Sequence, residues 1–375
     1  MSVMPISDDG LAWAALTRCP SLCAAALTGA LGAFGDAIGV MRAGARGRMA
    51  AWLPPPARDF LESEAARSTV AERAWLGGPR HHLLPFNDPR FPPMLRELAD
   101  CPVAVYVDGD PDALREPQIA IVGSRTPTPQ GRRTARDFAE SLAGRGLAIT
   151  SGLAEGIDAA AHDGALAVQG TPIGVLGTGI DVVYPRVNAR LTAAVGIHGA
   201  LLSEFPLGTP PKPFHFPRRN RLIAGLSLGT VVIEAARRSG SLITARFAAE
   251  QGREVFAVPG SIHNRLAQGC HALIRDGAKL TETAGDILCE LNFLGRPAPA
   301  RQRSAAAGPD AGMDKDRKIL LDALGFEPMD LDGLVARTGF KAQAVSSMML
   351  ILELEGHVQA APGGRYSRVA NRSRR

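Results

Sequence analysis

Between Gln118 and Glu290 one pattern recurs: a short continuous apolar run, small or polar residues at its end, then a helical segment. Residues 119–122 run into Gly123 and Ser124, and residues 148–150 into Ser151 and Gly152. Residues 173–176 run into Gly177 and Gly179, and residues 200–202 into Ser203 and Glu204. Residues 230–233 run into Glu234 and Ala235, and residues 255–258 into Pro259 and Gly260. Strands that are apolar on both faces belong to a parallel sheet covered by helices on each side. The pattern therefore predicts an α/β fold with a doubly wound, mostly parallel sheet. Ligands of such a sheet lie beyond the strands' carboxyl ends, where the small residues recur. Backbone N–H groups and helix N-termini at those ends suit an anion.

Two flanking regions read differently. Residues 1–95 are rich in Ala and Leu at helical spacing and are punctuated by Pro20, Gly35 and Pro54, which predicts a small helical domain. Residues 96–295 hold the α/β domain, entered through a short strand near residues 104–107. Residues 296–312, rich in Arg, Pro, Ala and Gly, read as a linker. Residues 313–370 carry three short helical patterns and then a hairpin signal at Gly363 and Gly364, the order of a winged helix. Its third helix, residues 341–355, offers Lys341 but also Glu353 and Glu355, a poor reader of a major groove. A packing or partner-binding module fits that tail equally.

The chain of 375 residues has a net charge of +5, unevenly spread. Residues 1–116 carry 11 Lys and Arg against 14 Asp and Glu, residues 117–290 carry 18 against 14, and residues 291–375 carry 13 against 9. The basic surplus of the middle and tail fits a polyanionic partner. Five scattered cysteines form no CxxC pair and read as reduced thiols of a cytosol. The eight histidines show no metal-ligand spacing, the adjacent His81 and His82 read as a solvated loop, and no cofactor is implied. No basic leader followed by an apolar core is visible, and no apolar run of about 18 residues occurs, so a cytoplasmic protein outside the membrane is expected.

The strongest functional signal is residues 212–221, which hold Lys212, Arg218, Arg219 and Arg221 with Phe214 and Phe216. No Asp or Glu occurs between Glu204 and Glu234. Cations beside aromatic rings grip a nucleic-acid backbone and stack its bases. The plainer reading is a proline-stiffened surface loop whose phenylalanines anchor it. Gly123, Ser124 and Arg125 read either as a phosphate cradle clamped by the arginine or as a tight strand-to-helix turn. Arg238 to Arg246 opens a helix that Ser239 or Ser241 would cap, with Gly240 between them. Asp158 and His162 share a helix face, where Asp158 supports the helix dipole and orients the histidine rather than forming an acid–base pair. No GxGxxG and no GxxxxGK[ST] occurs, which argues against a dinucleotide fingerprint and a P-loop ATPase.

As an ordered set over residues 85–290, these segments closely resemble the DNA-processing protein A (DprA/Smf) family. The resemblance rests on residues 121–125, 151–162, 175–186, 216–227, Glu234 with 239–245, and 258–261. It implies an extended Rossmann-like domain that binds single-stranded DNA. It also implies a homodimer and the loading of RecA recombinase onto the strand during natural transformation, with no catalysis. Carried over, Arg125, Lys212, Phe216, Arg218, Arg219 and Arg221 are DNA-contact candidates, joined by Phe214 from the aromatic reading. Gly123, Ser124, Ser239, Gly240 and Ser241 are phosphate-pocket candidates. Glu155 stands where a basic residue is common, and His271 where Asn is usual. A rival reading is an enzyme like the lysine-decarboxylase-like phosphoribohydrolases, with Glu234 stabilising a sugar cation. The Pro-Gly-Gly that precedes Gly-Thr in those enzymes is missing before Gly229. A third is a duplex-specific regulator working through the tail.

Overall fold

A computed structural model of the chain describes residues 8–49, 52–67, 69–293, 315–325, 328–361 and 363–369. By its contacts the chain divides into two units, residues 1–126 with 135–298 and residues 127–134 with 299–375. The linker read at 296–312 lies outside the described residues.

The first unit opens with α1 (Asp8–Thr17), α2 (Ala24–Phe34), α3 (Ala37–Gly44), α4 (Pro55–Glu62) and α5 (Val70–Leu76). Gly35, at φ 90°, ends α2, and Asp36 caps α3 by accepting from Gly39 N–H. Trp13, Leu16, Leu27, Val40 and Leu61 form the core of these helices together with Val103. Trp13 also meets Phe86 edge-on, with ring centres 5.9 Å apart, so the helices pack directly on the sheet's flank.

The sheet follows: β1 (His81–Pro85), α6 (Pro93–Arg96), β2 (Ala104–Gly109), β3 (Gln118–Gly123), α7 (Pro129–Ala143), β4 (Ala148–Ser151), α8 (Ile157–Ala167) and β5 (Pro172–Val175). It continues through α9 (Ala189–His198), β6 (Ala200–Ser203), α10 (His215–Leu226), β7 (Gly229–Ile233), α11 (Ser241–Glu250), β8 (Glu254–Ala257), α12 (Gln268–Arg275), β9 (Lys279–Leu280) and α13 (Ala284–Glu290). Among the described residues, nine strands form one sheet in the order β1-β2-β6-β5-β4-β3-β7-β8-β9. Strands β3 to β9 pair in parallel, while β2 pairs antiparallel with both β1 and β6. The mostly parallel, doubly wound sheet is therefore present. His81 and His82 are not a loop: they lie on β1 opposite Asp108 and Val107, and the His81 ring stacks on Trp75 at 4.1 Å.

Alternation along β3 feeds two cores. Ile119 and Ile121 join Phe138, Ile149 and Phe256 on one face, while Ala120 and Val122 join Val175, Leu202 and Leu222 on the other. Each large side chain so buried contributes about 1.5–3 kcal/mol. The chain order reverses at β3, with β4 on one side and β7 on the other. That is the switch point at which open sheets of this kind form a ligand crevice.

The second unit contains α14 (Lys315–Leu324), β10 (Met329–Asp330), α15 (Leu331–Thr338), α16 (Ala342–Leu354), β11 (Val358–Ala361) and β12 (Arg365–Arg368). Its three antiparallel strands run β10-β12-β11 beside a core of Leu320, Leu324, Leu334, Val345, Met349 and Leu352. This is a winged helix. Helix α16 presents Leu350, Ile351 and Leu354 to solvent, an apolar face where a groove reader carries cations. No single described helix is long and apolar enough to cross a membrane.

Gly123 faces Ile233 across the switch point, and a Cβ there would lie 1.9 Å from the Ile233 carbonyl oxygen and 2.7 Å from Ile157. Gly123→Ala should therefore cost about 1–3 kcal/mol. Gly240→Ala, at φ −62° with nothing within 4 Å, should leave stability unchanged or slightly raised. Chemical denaturation of both variants checks this; equal midpoints would contradict the close approach of β3 and β7.

Candidate nucleic-acid interface

The basic segment is an arm followed by a helix. After Pro211 and Pro213 the chain enters α10 at His215, and Pro217 falls in the first turn, where its missing N–H costs no helical bond. Helical spacing then turns the neighbouring cations in different directions. Arg219 points inward and is 4% exposed. Its Nη1 donates to the Gly152 carbonyl oxygen at 2.8 Å and to that of Val175, at the ends of β4 and β5. A Cβ on Gly152 would sit 2.6 Å from this guanidinium, and one on Gly177 would sit 2.8 Å from the Phe216 ring. The glycines that end these strands thus make room for α10 itself.

Asp158, in the first turn of α8, accepts through Oδ2 from the N–H groups of Gly152 at 3.0 Å and Ala154 at 3.4 Å. Burial raises its carboxyl pKa, while the charge of Arg219 and these N–H groups pull it back. Burial pushes the Arg219 guanidinium down to about 10, still protonated at neutral pH, with Asp158 opposing the shift. The expectation that Asp158 orients His162 fails, because its acceptor oxygen serves the backbone. Neither ring nitrogen of His162 has a hydrogen-bond partner among the described residues. Burial first, and then the charge of Arg219, lower its pKa to about 3.

Arg221 turns the other way. Its Nη2 meets Glu204 Oε2 at 2.5 Å and its Nε meets Asp100 Oδ2 at 2.8 Å. Arg218 Nη2 reaches the same Glu204 oxygen at 3.2 Å and lies over the Phe205 ring at 5.5 Å. The structure ties Arg218 and Arg221 to Glu204 at the end of β6 and does not bring them together with Gly123, Arg125 and Ser239–Ser241.

What it does bring together surrounds a pocket of about 710 Å³ at the β3–β7 crevice. Gly123 and Arg125 line one bank, Ser239, Gly240 and Ser241 the other, with Phe216 and Arg219 from α10 and Tyr184 between them. Arg125 is exposed, and its guanidinium lies 5.8 Å from the Phe216 ring centre. Phe216 tilts against Tyr184 with centres 5.5 Å apart. Asn220 Nδ2 reaches across to the Gly240 carbonyl at 3.3 Å. The N-cap position of α11 is Gly240 rather than a serine, though Ser239 Oγ accepts from the N–H of Ser241, the first helical residue, at 3.4 Å; the two serine hydroxyls lie 2.7 Å apart. Ser124 is buried and holds the turn, its hydroxyl accepting from Thr126 N–H at 3.2 Å and its carbonyl from Ile157 N–H at 3.1 Å. Lys212 and Phe214 sit on the arm outside the pocket, with the ammonium 5.8 Å from the ring centre and Phe214 65% exposed. Glu155 lines a small recess beside Arg125, Tyr184 and Phe216. His271 Nε2 lies 2.9 Å from the Gly260 carbonyl oxygen.

Sequence reasoning missed Tyr184 as a site residue. The signal was present: it is one of three tyrosines, and it lies inside the 175–186 motif. Among the described residues, no group of His, Cys, Asp or Glu could hold a metal ion.

The first unit thus carries an open α/β sheet with an arginine- and aromatic-rimmed pocket at its switch point, and the second unit is a winged helix. Residues 82–292 match the model of DNA recombination-mediator protein A, and residues 300–364 match that of the DprA winged helix domain. The chain is 45% identical over 313 residues to Protein Smf of Escherichia coli (strain K12), across 82% of this chain and 83% of that protein. It is 48% identical over 206 residues to DNA processing protein DprA of Streptococcus pneumoniae, across 55% and 73%. A crystal structure of S. pneumoniae DprA aligns with a TM-score of 0.63 at 37% identity, over 73% of this chain and 95% of that one. A structure of DNA processing protein A from Helicobacter pylori, described for its single-stranded DNA binding mode, aligns with a TM-score of 0.52 at 28% identity, over 57% and 96%. The chain belongs to the DprA/Smf family of DNA recombination mediators.

The buried His162 has a testable consequence. Its folded pKa of about 3 lies below its unfolded value of about 6.5, so the unfolded chain takes up the proton first as pH falls. Its contribution to stability is full above about pH 6.5 and is lost toward about pH 3, at up to about 1.4 kcal/mol per pH unit. Urea unfolding at several pH values should show a shallower acid loss for His162→Leu than for the parent. Parallel curves would contradict a neutral, buried histidine.

Proposed function

We propose that this protein binds single-stranded DNA across the carboxyl edge of its sheet and presents the strand for recombination, without chemistry on the DNA. The observation that carries this reading is the exposed Arg125 over Phe216, itself against Tyr184, on the rim of the switch-point pocket. Arg125 and the hydroxyls of Ser239 and Ser241 meet phosphate, while Phe216 and Tyr184 offer faces for bases. Lys212 and Phe214 extend the track along the arm. Such a grip is largely independent of base sequence. The H. pylori relative, described for its single-stranded DNA binding mode, supports the same choice of ligand.

In this reading Ser124, Arg219 and Arg221 act by positioning, because Ser124 Oγ, Arg219 Nη1, and Arg221 Nε and Nη2 are held by partners within the protein. The DNA track lies in the 96–295 domain, flanked by the helical domain 1–95 and the winged domain 313–370. Homodimerisation would double the track and raise avidity without new contacts. Loading of RecA during natural transformation, and a cytoplasmic site of action, complete the reading. The phosphoribohydrolase alternative is not favoured. The S. pneumoniae relative is named for DNA processing, and Glu234 is not among the residues that line the pocket.

Fluorescence anisotropy with a single-stranded oligonucleotide and its duplex across a salt series tests the proposal. The single strand should bind more tightly. Arg125→Ala should weaken binding and reduce the salt slope by about 0.7, one phosphate's share. Phe216→Ala should cost about 1–3 kcal/mol. Binding untouched by both substitutions, or abolished by removing residues 299–375, would move the site to the tail.

A further inference from the structure

Residues 210–214 of the arm have little backbone to hold them. Pro210, Pro211 and Pro213 lack an N–H, and neither Lys212 nor Phe214 donates its own to another backbone group among the described residues. The arm is tied at its start, where Gly208 N–H donates to both carboxylate oxygens of Asp181, at 2.8 and 3.0 Å. At its end a single ring takes over. The His215 ring lies between two phenylalanines. Its centre is 4.4 Å from that of Phe205, tilted by 31°, and 4.6 Å from that of Phe214, edge-on at 81°. Cations close both ends of this stack. Lys212 Nζ is 5.8 Å from the Phe214 ring centre, and the Arg218 guanidinium is 5.5 Å from that of Phe205. Exposure rises steeply along it, from 4% at Phe205 through 7% at His215 to 65% at Phe214. The Phe205 end is fixed, because Arg218 pairs with Glu204 and Phe205 N–H donates to Ser203 Oγ at 3.0 Å. Burial first, and then the charge of Lys212, hold the His215 pKa below its ordinary value. The ring is therefore neutral at neutral pH and adds no repulsion to the two cations.

We propose that His215 is the positioning residue of the arm: its ring joins the exposed Phe214 to the buried Phe205 and so sets Lys212 and Phe214 where a single strand leaving the pocket meets them. The proposal rests on the single-stranded DNA reading above. His215 itself does not touch the strand, since its side chain is enclosed between the arm and the end of β6. A flat ring of similar size serves equally in this role, whereas a methyl group leaves Phe214 without its buried neighbour.

The test uses the full chain and two readouts. Anisotropy with a single-stranded oligonucleotide should show binding about fivefold weaker for His215→Ala, and an affinity within about twofold of the parent's for His215→Phe. The loss should depend on the side chains that the histidine positions. With Lys212→Ala and Phe214→Ala already in place, His215→Ala should change affinity by less than about twofold. The second readout needs no DNA. Chymotrypsin cleavage after the exposed Phe214 should be several times faster in His215→Ala than in the parent or in His215→Phe, with cleavage elsewhere unchanged. Equal cleavage in all three, faster cleavage throughout the chain in His215→Ala, a loss of affinity that persists without the Lys212 and Phe214 side chains, or no recovery in His215→Phe would overturn the proposal. So would a parent affinity left intact by Lys212→Ala with Phe214→Ala. Failure of the parent to bind any single strand would instead count against the single-stranded DNA reading, and the cleavage rates would still decide whether His215 holds the arm.

Discussion

The buried guanidinium of Arg219 is the interaction on which the site depends. It joins α10 to the ends of β4 and β5 through the carbonyl oxygens of Gly152 and Val175. A charge so buried is tolerated only when it is paired and hydrogen-bonded. Asp158 supplies the opposing charge while its Oδ2 fixes the loop that carries Gly152. Helix, loop and both strand ends are thereby held as one piece. Phe216, three residues before Arg219, is set over Gly177 and against Tyr184 as a consequence. Replacing either glycine would push the helix off the sheet edge and move the aromatic rim with it.

A second set of charges holds the opposite face of the same helix. Between Glu204 and Glu234 the chain has no acidic residue, which made the cation cluster look self-repelling. The fold answers with Glu204, which bounds that stretch at the end of β6, and with Asp100 from the distant segment before β2. Arg219 and Arg221 are therefore internal ties, and Arg125, Lys212 and Arg218 remain the cations that reach solvent. The basic segment has two jobs, fastening α10 on both sides and presenting charge at its start.

The parallel strands β3 to β7 were legible because they are buried on both faces and read as mostly apolar runs, whereas the two exposed residues of β9 gave no such signal. The antiparallel edge was less so. In β1 two histidines and a proline mask a strand whose pairing comes from the next strand, β2. The switch-point pocket was legible as a position, from the small residues after the strands. The direction of each arginine was not, since it depends on which carbonyl or carboxylate the tertiary structure brings within reach. The same holds for Tyr184, whose value as a rim residue comes from Phe216 beside it. At α11 Gly240 takes the cap position, and Ser239, one residue earlier, reaches the first helical N–H at 3.4 Å while its hydroxyl also bonds that of Ser241.

The most direct test of Arg219 as the tie of the site is to measure unfolding stability and the salt dependence of single-stranded DNA affinity for Arg219→Met. Loss of a buried, paired charge should lower stability by about 3–5 kcal/mol. Any residual binding should keep the parent's salt slope, because no phosphate contact is removed. Unchanged stability with a slope shallower by about 0.7 would show instead that Arg219 meets DNA directly, and would contradict its role as the internal tie.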